Sequence, residues 1–147
     1  MKNLVAILFV LSIIGRINAQ EVGLRVGGLN GNWGIAIDGV FDAGVSRMHV
    51  DLGYYMGGVE ADVLWDLVYE PLPYVESLYG YIGIGSSVRV ANPFLLGVAG
   101  EVGFEYRFAN VPIVIGGDWR PTFWLLENTE FTAGRWGINA RWNFGKQ

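Results

Sequence analysis

From Phe104 to Pro121 the chain reads FEYRFANVPIVIGGDWRP, and charged and bulky apolar residues take turns on both sides of Ala109-Asn110. Phe104, Tyr106, Phe108, Val111, Ile113 and Ile115 form one series. Glu105, Arg107, Asp118 and Arg120 belong to the other. A period of two puts successive side chains on opposite faces of a β-strand. This stretch therefore makes a strand pair with one greasy face and one charged face, and the fold depends on which face is inside.

The same alternation runs through most of the chain. Eight segments carry it: Glu21–Gly28, Asn32–Gly39, Ser46–Met56, Val59–Tyr69, Leu78–Val90, Leu95–Phe108, Val111–Trp124 and Ala133–Phe144. Turn signals separate them, with Asn30-Gly31 the strongest, then Gly57-Gly58 and Ala109-Asn110. Treated as two-residue hairpins, these turns set Arg25 opposite Ala36, Gly53 opposite Asp62, His49 opposite Asp66, Leu52 opposite Val63, Glu101 opposite Asp118 and Phe104 opposite Ile115. Each hairpin then keeps the two faces apart, which a slip of one residue would destroy.

Ahead of these segments, Lys2, the apolar run Leu4–Ile14 and the small residue Ala19 have the layout of a secretory signal peptide. Eleven apolar residues fall short of the roughly 20 that cross a bilayer as a helix. Residues 1–19 are therefore expected to be cleaved, leaving one domain over 20–147. Without Lys2 and Arg16, eight basic residues face fourteen acidic ones, a net charge of −6. That balance and the lack of a basic cluster argue against nucleic acid as a partner. The sequence has no cysteine, so neither disulfides nor a lipid-modified cysteine are expected.

Volume decides between the faces. The apolar face holds more than thirty bulky residues, among them Val26, Trp33, Ile37, Leu52, Trp65, Tyr69, Ile84, Phe104, Ile115, Trp136, Ile138 and Phe144. The other face holds Arg25, Asp38, Arg47, His49, Asp51, Glu60, Asp62, Asp66, Arg89, Glu101, Glu105, Arg107, Asp118, Arg120, Arg135 and Arg141, spaced by Gly, Ala, Ser and Asn. An eight-stranded lumen is just wide enough to be filled by side chains, so the apolar set would overfill it. The charges are expected inside and the apolar residues outside, facing lipid, where closure also satisfies the backbone. The expected fold is all-β: an eight-stranded antiparallel up-and-down transmembrane barrel with aromatic residues toward both rims.

The stretches GLRVGGLNGNWGIAID, VEADVLWDLVYEPLP, LYGYIGIGSSVRV, GVAGEVGFEYRFANVPIVIGGDWRP and GRWGINARWNF resemble the outer-membrane β-barrel (porin-like) family, in the size class of the OmpA and OmpX barrels. The resemblance implies residence in a bacterial outer membrane among lipid and lipopolysaccharide. It also implies insertion by the barrel assembly machinery, which reads a last strand closing on an aromatic, here Phe144. The family carries no agreed enzymatic site, and a monomer without a cofactor is expected.

His49 is the sole histidine. With Asp66 opposite and Ser46 or Ser87 as nucleophile it could form a hydrolase site. Yet His49 falls on the inner face, Ser46 on the outer one and Ser87 two strands away, whereas catalysis needs contact at about 3 Å. A hydrogen bond from His49 to Asp66 is the simpler reading. GYIGIG and GVAGEVG introduce no helix, so phosphate binding is not supported. Glu60, Asp62 and Asp66 resemble a metal cluster, but salt bridges to the seven arginines account for them. The charges are read as a structural filling of the lumen, in a barrel with a structural, membrane-maintaining or interaction role. A narrow porin-like channel for small solutes or ions is the alternative. A lipid-modifying enzyme is the third reading.

Overall fold

The structure is a computed structural model that describes residues 19–29, 32–42, 46–127 and 129–145. The expected leader up to residue 18, the Asn30-Gly31 turn and Lys146 lie outside the described residues. Ten strand segments follow in order: β1 (Ala19–Leu29), β2 (Asn32–Asp42), β3 (Arg47–Tyr55), β4 (Gly58–Pro71), β5 (Leu78–Val90), β6 (Leu95–Arg107), β7 (Ile113–Trp119), β8 (Thr122–Trp124), β9 (Glu130–Thr132) and β10 (Arg135–Asn143). From β1 to β6 each pairs antiparallel with the next, β6 pairs with both β7 and β8, β8 with β9, and β10 with β7 and with β1, which closes the sheet. The segments β7 and β8 are one strand, because their register on β6 continues from Val102↔Trp119 to Ala99↔Thr122. Pro121, which has no N–H to donate, interrupts it. With β9 and β10 forming the last strand, the molecule is a closed eight-stranded antiparallel barrel.

The faces fall as the period of two dictates. Trp33, Ile37, Phe104 and Ile138 point outward and are more than half exposed. Asp38, His49, Glu101, Glu105, Arg120 and Arg141 point inward and are buried. At the end where β1 turns into β2, Trp33, Trp119 and Trp136 lie on the outer wall, and the last two stack with ring centres 5.6 Å apart.

Two registers differ from the sequence reading. Gly53 lies opposite Glu60 rather than Asp62, Leu52 opposite Ala61, and His49 opposite Leu64, because the turn is Met56-Gly57. Both turn residues have positive φ, 49° and 76°, which matches the twist of a tight hairpin. Likewise Asp118 faces Gly103 and Ile115 faces Tyr106, because residues 109–112 form a wider loop than Ala109-Asn110 alone. A slide of two residues preserves both faces, so the alternation could not detect it.

Tyr69 also departs from its expected outward place. The register on β5 shifts between Asp66 and Val68. Leu67 and Val68 are both exposed at this bulge, and Tyr69 turns inward, where its hydroxyl donates to Glu105 (2.7 Å). A bulge reverses the alternation beyond it.

Candidate functional site

The barrel interior is the one concentration of chemistry among the described residues. Its sequence logic is asymmetric. Asp38 on β2, Asp51 on β3 and Asp62 on β4 lie side by side in register. Like charges directly opposite repel, so this acidic row needs cations from elsewhere. They come from the facing wall. Arg141 on β10 donates to Asp38 (3.0 Å). Arg120, between β7 and β8, donates to Asp51 and to Asp62 (3.3 Å). Arg25 on β1 clamps Asp118 with Nε and Nη2, at 2.9 and 2.5 Å.

Toward the end that carries β1's start and β10's finish, Glu105 is the hub. Arg47 grips it with both terminal nitrogens (3.1 Å each), Arg107 donates from Nε (3.0 Å), and Arg141 and Tyr69 complete the set. Arg47 also stacks on the Tyr69 ring at 4.0 Å. Glu21 accepts from Arg107 and Arg141. At the opposite end Arg135 holds Glu60 and Asp62, with Ser87 and Thr122 accepting from its Nη1. Arginine's planar fork suits such multiple pairing in a dry interior.

The sixteen inner-face residues named from the sequence therefore all sit in the lumen, with Arg47 and Arg107 the least buried. Among the described residues Arg89 pairs with no carboxylate. It donates to the backbone carbonyls of Tyr55 (3.0 Å) and Met56 (3.2 Å) and so holds the β3–β4 turn. Sequence reasoning missed Glu21, Tyr69, Tyr55 and Tyr81. Glu21 was legible, since it has the parity of Arg25. Tyr81 is buried against His49, ring centres 5.0 Å apart.

His49 is held by Glu101 more closely than by Asp66: Nδ1 lies 3.2 Å from Glu101 Oε1 and Nε2 lies 3.5 Å from Asp66 Oδ2. Ser46 is on the outer wall, where its hydroxyl accepts from Trp65. Ser87 donates to Asp62 (2.5 Å). The hydrolase constellation is not assembled. Glu60, Asp62 and Asp66 do not converge either, since the first two belong to Arg135 while Asp66 faces His49.

Two hollows bear on function. A polar vestibule of about 630 Å³ lies at the end carrying Gln20, Arg47 and Arg107, with Asp66 in its lining. An apolar groove of about 540 Å³ runs along the outer wall over Gly117, between Phe104 and the three tryptophans. Between vestibule and far end, Arg120 and Arg141 are buried and cross-linked to several strands. Neither a family model nor a curated protein matches this chain.

Proposed function

We propose that this protein is an integral outer-membrane β-barrel of the porin-like type, exported by a cleaved leader, whose plugged lumen makes it a structural or membrane-maintaining element rather than an enzyme. The observation that carries this reading is the inversion of the barrel. The arginines and their carboxylates are inside, and the outer wall is a continuous apolar surface. In water, such a wall far exceeds the patch a soluble monomer exposes. In lipid it is the stable arrangement. Strand length agrees: 11 residues at about 3.3 Å each, tilted by about 45°, span about 25 Å, the height of a bilayer's apolar band.

Plugging follows from Arg120, which engages Asp51, Asp62, Glu101 and Asp118 from four different strand positions. A solute would have to break several buried ion pairs to pass. The proposed partners are membrane lipid, lipopolysaccharide and the barrel assembly machinery, the last engaging the strand that ends at Phe144. Reconstitution in planar bilayers tests the reading. The folded protein, identified by faster gel migration before boiling than after, is expected to leave the bilayer non-conducting. Discrete ion-conducting steps would favour the narrow channel.

A further inference from the structure

The lumen contains more acid than its arginines can serve. Among the described residues nine carboxylates are buried there: Glu21, Asp38, Asp51, Glu60, Asp62, Asp66, Glu101, Glu105 and Asp118. Seven arginines accompany them, and Arg89 turns Nη2 to two backbone carbonyls and Nη1 to the Met56 sulfur rather than to a carboxylate. Neither oxygen of Asp66 accepts a hydrogen bond, although its side chain is fully buried, and Glu101 Oε2 accepts none either. Single oxygens of Asp38, Asp51 and Glu60 also accept no hydrogen bond, but Asp66 stands apart because both of its oxygens are unserved. Leaving such groups unserved is costly.

The neighbouring arginines serve this pair only in part. Arg47 comes within 3.7 Å of Asp66 but directs both terminal nitrogens to Glu105. Arg120 serves Oε1 of Glu101 and leaves Oε2. What remains around Asp66 is the imidazole of His49. One donor atom each from His49, Asp66 and Glu101 lie within 4.8 Å of one another. Bonds of about 2.1 Å around a metal put ligand atoms roughly 3.4 Å apart, so closing the site asks for carboxylate rotation rather than backbone movement. Asp66 also borders the vestibule, the nearest solvent-filled space, although its carboxylate is closed off from it, so a cation entering there has to part that closure.

We infer that His49, Asp66 and Glu101 form a binding site for one divalent transition-metal cation of the Zn²⁺ class, entered from the vestibule. One nitrogen and two carboxylates suit a borderline cation better than Ca²⁺ or Mg²⁺, which prefer oxygen alone. A double positive charge also offsets the excess of lumen acid. The site depends on the barrel's interior and not on what surrounds its outer wall, so it goes beyond the membrane reading and survives that reading's failure.

The test uses untagged protein, stripped with a chelator and verified as folded by circular dichroism and heat-modifiable migration. Calorimetric titration with ZnCl₂ is expected to show one equivalent bound. Asp66→Asn, which keeps the shape and loses the charge, is expected to weaken binding by tenfold or more, since even outer-shell partners of a metal cost about 10–100-fold. Because His49 is the sole histidine and there is no cysteine, zinc-edge X-ray absorption of the wild-type protein provides a reading independent of any variant. Scattering from a single imidazole supports the site. Folded wild-type protein that takes up no zinc, a spectrum without imidazole, or undiminished binding by Asp66→Asn overturns it.

Discussion

Arg120 and Asp62 meet across the lumen, Nη1 to Oδ2 at 3.3 Å, although β4 and the β7–β8 strand share no hydrogen bond. The same guanidinium donates to Asp51 and Glu101. One side chain thus ties the acidic wall of the barrel to the basic one, and it does so at the strand break made by Pro121.

Removing that tie should be severe. Arg120→Ala leaves Asp51, Asp62 and Glu101 short of their shared cation, and losing one partner of a buried ion pair costs about 3–5 kcal/mol. Urea unfolding of the detergent-folded barrel, followed by tryptophan fluorescence, is expected to show a loss of this size. Arg120→Lys should recover only part, because an ammonium cannot match the fork. Equal stability of wild type and Arg120→Ala would remove the keystone role.

The β3–β4 turn should be improvable. Met56 holds a φ of 49° beside Gly57 at 76°, and a left-handed conformation costs a residue such as methionine about 1 kcal/mol. Asparagine tolerates it and favours this hairpin turn. Met56→Asn is expected to raise the urea midpoint by an equivalent of up to about 1 kcal/mol without changing the slope, while Gly57→Val lowers it.

How far could the residues alone be read? The period of two separates Ile138 from Asn139 as cleanly as a structure does, so the barrel and its inverted faces were legible. What alternation cannot see is a displacement that respects it. His49 slid from Asp66 to Leu64 as its cross-strand neighbour because glycine 57 could occupy either turn position. Tyr69 turned inward because the bulge at Leu67 has no distinguishing residue type. The cluster of His49, Asp66 and Glu101 draws on β3, β4 and β6, and its geometry depends on curvature that no single hairpin encodes.

The outer wall supplies a prediction on which membrane and water disagree. Ile138 sits mid-strand and is 63% exposed. If lipid covers it, Ile138→Arg should cost about 2–4 kcal/mol in a bilayer, measured by urea unfolding from vesicles. Val75→Arg, in the β4–β5 loop, should stay within about 0.5 kcal/mol. In a water-soluble barrel both changes would be nearly neutral.

The most direct measurement exploits the absence of cysteine. A single cysteine placed at Ile138, Ile115 or Val75 and spin-labelled can be probed in vesicles with oxygen, which partitions into lipid, and with a water-soluble nickel complex. Labels at Ile138 and Ile115 are predicted to be relaxed strongly by oxygen and hardly by nickel, with the order reversed at Val75. Nickel reaching Ile138 and Ile115 as freely as Val75 would contradict a barrel whose apolar wall is turned to lipid.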